Sequence, residues 1–429
     1  MKELLVKILF AIPVYQSVIL SIFLFLGSTR QFSYSKVLMG VFQLLMAIYF
    51  TFNFLYSIRA FELVGAIYIL ILPAILMFIP VFYLYMLSIT TPGFRFDKQK
   101  LIHFIPAFVI VCLNIPFLFS SQAEKLDFIS HGYSMLNSSR LFSYLLIVYM
   151  IGIFVVFSLQ LIFYSIHAFK LFRHHKIFIE NRYSFTENIN LDWILALIIC
   201  FIIFFVFNDI LYLVGFRQHF ATQVIYNVSM LVTTLYIGYR GLLQIDLNEK
   251  SIQPGSEYLN QQMDEKGSGA FSLPASPELL KEANTEFEKD IQKNEPEFIK
   301  KYSGSALTPD QKNLLAIKLQ ELMIHDKIFI NERLSIEDVA IKLDTNSKYI
   351  SQIINETYNK NFYNFINSFR IDEAKKLLVS QENEKYSILG IAQSVGFVSK
   401  STFNAAFKRF TGLTPTEFKN INVLKSKIV

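Results

Sequence analysis

Two short runs near the C-terminal end set hydrogen-bonding side chains at helical spacing: Lys348, Ser351 and Gln352 in the first, Lys400, Ser401, Asn404 and Lys408 in the second. Residues three and four apart share one helix face. Ammonium groups pair with phosphates, while hydroxyl and amide groups both donate to and accept from the edges of nucleic-acid bases. The chemistry on offer is recognition of a polyanion. Taken alone, the same polar face is also what a solvated helix presents.

Residue types suited to bond-making are present without the spacing that catalysis needs. His103, His131, His167, His174, His175, His219 and His325 offer only one adjacent pair, His174-His175, which reads as part of a basic loop. Cys112 and Cys200 both sit in apolar stretches, give no disulfide framework, and are expected to be plain core residues. Glycine-rich phosphate loops, nucleophile elbows and paired-carboxylate motifs do not occur. The chain is therefore expected to be no enzyme and to carry neither cofactor nor metal.

The elements that must position the polar faces follow from apolar periodicity. Thr308-Pro309-Asp310-Gln311 is a capping box for a helix to about Ile324, where a soluble domain starts. A helix from Ser335 buries Ile336, Val339, Ala340 and Leu343, and Asp344-Thr345-Asn346 makes a turn. The next helix, Ser347 to about Tyr358, buries Ile350, Ile353 and Ile354, which leaves Lys348, Ser351, Gln352 and Asn355 outward. After a connecting helix from about Phe362 to Leu378 the pattern repeats. Ile388, Ile391, Ala392 and Val395 bury one helix, Gly396 permits a tight turn, and Ser399 caps a helix from Lys400 to Phe410. There Phe403, Ala406, Phe407 and Phe410 face inward, and Lys400, Ser401, Asn404, Ala405 and Lys408 outward.

On these residues the segments LSIEDVAIKLDTNSKYISQII, NFINSFRIDEAKKLL and ILGIAQSVGFVSKSTFNAAFKRFTGLTPTEF resemble the DNA-binding domain of the AraC/XylS family of transcriptional regulators, over about residues 310 to 420. The resemblance implies two recognition helices that enter successive major-groove segments of double-stranded DNA. It assigns base contact to Lys348, Ser351 and Gln352, and to Lys400, Ser401 and Asn404. Where many members carry Arg, this chain has Gln352 and Ala405. Ala405 offers a base only its methyl group, so the first helix is expected to discriminate sequence and the second to lean on backbone contacts through Lys400, Lys408 and Arg409. Gly412 serves a turn, and Thr414 to Glu417 form another capping box.

The rest of the chain belongs in a different solvent. Of 429 residues 53% are hydrophobic and 17% charged, too apolar for an all-soluble protein. Segments at roughly 4–26, 37–57, 63–89, 101–120, 141–168, 193–216 and 220–243 each reach the about 20 residues that span a bilayer. Pro73 and Pro80 in the third are tolerable kinks. With seven spans a cytoplasmic C-terminus puts the N-terminus outside. The inner loops then carry nine basic residues (Arg30, Lys36, Arg95, Lys98, Lys100, Lys170, Arg173, Lys176 and Arg182) against six outside, as the positive-inside rule requires. Lys2 and Lys7 run against that bias. No small-x-small cleavage site follows Leu26, so the first segment is expected to be kept.

Asn208 and Asp209 lie inside the sixth segment. A polar pair at depth is a candidate for signal sensing, and equally for a hydrogen bond between helices near the outer interface. The segment FYLYMLSITTPGFRFDKQKLIHFIPAF resembles the multi-span regions of membrane-bound AraC-type regulators.

The sequence thus predicts an all-α chain: a seven-helix transmembrane bundle (1–243), an acidic, partly helical linker (244–306) and a double helix-turn-helix domain (307–429). Residues 244 to 300 hold 12 acidic against 6 basic residues. Within them 276 to 291 can pair as a helix with a second copy in a homodimer; a flexible linker would instead leave control to dimer proximity or proteolytic release. Expected partners are double-stranded DNA, the bilayer of the inner or cytoplasmic membrane and an unidentified small-molecule or membrane signal. The competing reading is a membrane receptor or transporter whose C-terminal helices are a protein-binding adaptor.

Overall fold

The computed structural model describes residues 2–30, 33–91, 93–119, 121, 125, 140–187, 189–195, 220–244, 307–380 and 386–428. Among them every regular element is helical, and the one strand-like pairing is an isolated antiparallel bridge between Tyr183 and Ser335. The chain divides into two compact units, one formed by Met1–Arg173 with Leu191–Asn248, the other by His174–Asn190 with Glu249–Val429. Residues 174–190, expected within the membrane half, thus belong to the C-terminal unit.

The first unit contains α1 (Lys2–Arg30), α2 (Tyr34–Ser57), α3 (Phe61–Thr90), a 3-10 turn (Lys98–Phe104) leading into α4 (Ile105–Phe119), most of α5 (Arg140–Arg182) and α6 (Phe220–Leu243). Among the described residues, five stretches are long and apolar enough to cross a membrane: Lys7–Ser28, Tyr34–Ser57, Phe61–Thr90, Lys98–Ile115 and Gly152–Arg182. The seventh expected segment is the helix α6, and most of the sixth, with Asn208, Asp209 and Cys200, lies outside the described residues. The third segment is one helix in spite of Pro73 and Pro80.

Large apolar side chains lie on the outside of this unit as well as inside it. Ile22, Phe23, Phe108 and Phe154 are more than half exposed, while Leu24, Met39, Val64 and Leu84 are fully buried. In water the first group would be an aggregation surface; against lipid tails it is ordinary. Cys112, expected in a core, is on this exposed surface.

Close approach and polar contacts join the helices inside the unit. A Cβ at Gly238 on α6 would stand 2.5 Å from Leu20 of α1, and one at Gly241 would stand 2.7 Å from Met39 of α2. Nearby, Gln16 Nε2 donates to Thr234 Oγ1 at 3.2 Å and Gln43 Nε2 to the Thr234 carbonyl at 3.3 Å. Ser21 donates to the Gly40 carbonyl at 3.0 Å. These bonds tie α1, α2 and α6 together.

The helix α5 is longer than the periodicity of 141–168 suggests. It continues unbroken through Lys170, Arg173, Lys176 and Arg182, which were expected in a loop. Its last turns lie in the second unit, where His175 is buried and its Nε2 stands 2.7 Å from the Ile189 carbonyl. The His174-His175 pair is helical, in place of the expected basic loop.

In the second unit, α7 (Pro309–Ile324), α8 (Ile336–Lys342) and α9 (Ser347–Tyr358) close over a core of Leu319, Met323, Phe329, Val339, Ile350 and Ile366. A second core, with Ala374, Leu378, Ile391, Val395, Phe403 and Phe407, joins α11 (Ile388–Ser394) and α12 (Lys400–Thr411). The connecting helix α10 (Phe362–Val379) feeds both, and α13 (Pro415–Ile428) follows. Thr308 and Gln311 form the expected reciprocal cap, as do Thr414 and Glu417. Ser335 and Asp338 form a further one that the sequence reading did not single out. Gly396 has φ +92, and a Cβ there would lie 2.6 Å from the Ile330 carbonyl oxygen, so the second turn presses its backbone onto the 328–330 turn of the first half.

Candidate nucleic-acid interface

Both candidate reading helices start on a side-chain cap. The Asn346 side chain accepts from the Lys348 amide at 2.7 Å, and Ser399 Oγ accepts from the Thr402 amide at 3.2 Å. These caps leave the first-turn side chains outside the core, a suitable place for groups that contact phosphates and bases.

On α9 Lys348 is exposed and Ser351 half-buried, and Asn355 Nδ2 donates back to the Ser351 carbonyl at 2.8 Å. Gln352 departs from the expected outward placement. It is 1% exposed, its Nε2 donates to Glu356 Oε1 at 2.8 Å, and its own carbonyl oxygen has no partner. The physical cause is the i,i+4 pairing with Glu356, which holds the amide along the helix; Lys312 Nζ in turn holds Glu356 at 2.9 Å. Gln352 must let go of Glu356 to reach a base.

On α12 Lys400, Ser401, Ala405, Lys408 and Arg409 are exposed. Ser401 Oγ lies 2.9 Å from Ser399 Oγ. Asn404 is half-buried, and its side-chain oxygen is buried without a partner. An unpaired buried acceptor carries a desolvation cost that an incoming donor relieves. The exposed set is cationic, which suits phosphate contact.

One residue that the sequence reading passed over fixes the geometry between the halves. Arg370, on α10, is 1% exposed and uses every guanidinium donor. Its Nε donates to the Phe329 carbonyl at 2.6 Å and its Nη2 to the Asn331 carbonyl at 2.6 Å. Nη1 reaches the Asn367 side chain at 3.2 Å, and the guanidinium lies 5.6 Å from the centre of the Phe397 ring, just after the Gly396 turn. Burial lowers its pKa to about 10, so it remains charged at neutral pH. The only hint in the sequence is an Arg on the apolar side of an otherwise amphipathic helix.

Comparison with known proteins concerns this region. A family model described as a helix-turn-helix domain matches residues 339–421. The Msm operon regulatory protein of Streptococcus mutans is 34% identical over 86 residues, covering 20% of this chain and 30% of that protein. The melibiose operon regulatory protein of Escherichia coli is 28% identical over 92 residues, 21% of this chain and 30% of that one. The chain thus spans about a third of the length of these relatives. A solved structure, the C-terminal domain of AraT, a response regulator from Geobacillus stearothermophilus, is 26% identical and is covered to 88% by 27% of this chain, with a TM-score of 0.22. Both relatives are operon regulatory proteins. Two capped reading helices on one connecting helix, together with the family-model match, make residues 339–421 of this chain a helix-turn-helix domain, of the kind that the AraC-type resemblance implies.

Proposed function

We propose that this protein is a membrane-embedded, one-component transcription regulator. Its C-terminal domain binds double-stranded DNA through α9 and α12 in the major groove, and a signal received by the apolar helices controls that binding. The observation that carries this reading is the coexistence in one chain of five helices suited to a bilayer and a helix-turn-helix domain whose exposed α12 face bears Lys400, Lys408 and Arg409. Lys348, Ser351, Gln352 and Asn404 supply the polar groups for base readout, and Ser401 for either base or phosphate. The N-terminus lies outside and the C-terminus in the cytoplasm; residues 276–291, which lie outside the described residues, would either pair as a helix in a homodimer or serve as a flexible linker.

A ligand can drive such a protein only by binding two arrangements of the helices unequally. The test is a gel shift with the full chain at two salt concentrations, since neutralised phosphates release counterions and binding must weaken as salt rises. A salt-independent complex, or a reporter fused after Val429 that reports from outside the cell, would remove the reading in favour of an adaptor domain.

A further inference from the structure

Residues 180–187, the last three residues of α5 and the five that follow it, form a strap packed on the helix-turn-helix domain. Arg182 pairs with Glu337 on α8, its Nε donating at 2.6 Å. The Tyr183 backbone bridges to Ser335, and the Ser184 amide donates to the Leu334 carbonyl at 3.0 Å. Glu180 accepts from Asn361 Nδ2, at the start of α10, at 3.1 Å. The Ser184 carbonyl accepts from Arg370 Nη1 at 3.1 Å and from Asn367 at 3.3 Å, and Ser184 Oγ accepts from Arg370 Nη2 at 3.0 Å. Tyr183, Ser184 and Phe185 are buried.

The construction is that of a removable part. Without the strap Arg370 keeps the Phe329, Asn331 and Asn367 oxygens, so the domain retains its central linkage while water replaces Ser184. The strap is also acidic where the domain is basic. Tyr363 on α10 shows this: burial pushes its hydroxyl up, Glu187 of the strap adds to that, Arg409 and Arg370 oppose it, and Glu180 adds again. Strap carboxylates and Arg409 of the second reading helix therefore act on one phenol, and the carboxylates lower the positive potential that a phosphate backbone would meet.

We propose that residues 180–187 are an autoinhibitory strap: docked, they hold α8 and α10 in one arrangement and set Glu180 and Glu187 against the DNA reader, and movement of α5 withdraws them. This rests on the DNA-binding reading above and names its regulation. Because Arg182 is the last residue of α5, a shift or turn of α5 acts directly on the Glu337 pair, and a largely desolvated pair tolerates little separation before it fails.

The test uses the full chain in detergent micelles with a random-sequence duplex at low salt. Glu180→Gln with Glu187→Gln keeps the Asn361 hydrogen bond and removes only charge; the expected result is duplex affinity raised about tenfold. Arg182→Glu should speed amide exchange at Tyr183 and Ser184 and raise affinity similarly, and adding Glu337→Arg should reverse both. Unchanged or weaker binding by the Gln pair, or faster strap exchange with no gain in affinity, overturns the inhibitory role. Should the unaltered chain and every variant ignore the duplex at all salt concentrations, the DNA-binding reading itself fails, an outcome distinct from equal binding by all.

Discussion

Arg370 and Ser184, 186 positions apart, are joined twice: Nη1 of the arginine donates to the serine carbonyl and Nη2 to its hydroxyl, at 3.1 and 3.0 Å. The same guanidinium holds the two carbonyls of the 328–331 turn. One side chain thus fixes the connecting helix, the entry to the first helix-turn-helix and the strap.

Replacing Arg370 with Met should therefore be severe. It strands buried carbonyl oxygens at Phe329 and Asn331, and a loss of about 3 kcal/mol is expected from orphaned acceptors and lost bonds. Arg370→Lys should rescue little, because an ammonium cannot reproduce the planar fork. Urea unfolding followed by proteolysis of the C-terminal unit measures both; a midpoint unmoved by Arg370→Met would show that the network carries no stability.

Gly396→Ala tests the contact between the halves. Its φ of +92 and the 2.6 Å approach to a backbone oxygen leave no room for a methyl, and the obstacle is main chain that cannot rotate aside. We expect at least about 2 kcal/mol of destabilisation. Thermal unfolding is the measurement, with Gly412→Ala as the control. Gly412 also has a positive φ, but a Cβ there meets nothing within 4 Å, so it should lose less.

On DNA, Lys408→Ala should weaken binding alike on all sequences and reduce the slope of log affinity against log salt by about 1. Gln352→Ala should instead alter sequence preference at one position, because releasing Gln352 from Glu356 is part of reading a base. Binding curves on a selected duplex and its single-base variants separate the two; equal effects on every duplex from Gln352→Ala would count against base contact.

Glu373 offers a pH handle. The hydrogen bond from Lys327, at 2.6 Å, holds its carboxyl below the usual Glu range, with Lys376 adding to this. A depressed folded-state pKa means that its contribution is present above the ordinary value of about 4.3 and is lost as pH falls through the lower one. Acid unfolding of Glu373→Gln should lack that part of the pH dependence. An identical acid limb in both proteins would argue that the pair is not formed in solution.

Among the apolar helices, Gly238→Ala should be mild, since Leu20 can turn away, whereas Gly238→Leu must push α1 from α6 and disturb Gln43, whose Nε2 lies 3.1 Å from the position of a Cβ there. The expected cost of Gly238→Leu is about 1–3 kcal/mol. Heat-induced aggregation in detergent reads it out, and indistinguishable curves for the two variants would contradict the close approach.

Much of this was written locally in the chain. Thr308, Ser399 and Thr414 announce their helix starts through bonds that span three residues. Apolar periodicity gave α9, α10 and α12 nearly to the residue, because α9 and α12 each bury one stripe against a single core and the stripe of α10 runs on from the first core to the second. The limits of α5 were not readable in this way: its last turns carry Lys and Arg, which look like a loop, and they are helical because they pack on the C-terminal unit. Gln352 looked outward by periodicity and is held along its helix by Glu356.

The sequence by itself determined the helices, their caps and the split between lipid-suited and water-suited halves, since propensity, capping and hydropathy act over a few residues. Tertiary structure alone decided that Arg370 meets Ser184 and that Arg182 meets Glu337. Distance along the chain says nothing of such contacts, which exist because a buried guanidinium and a largely desolvated carboxylate must find partners wherever the fold brings them.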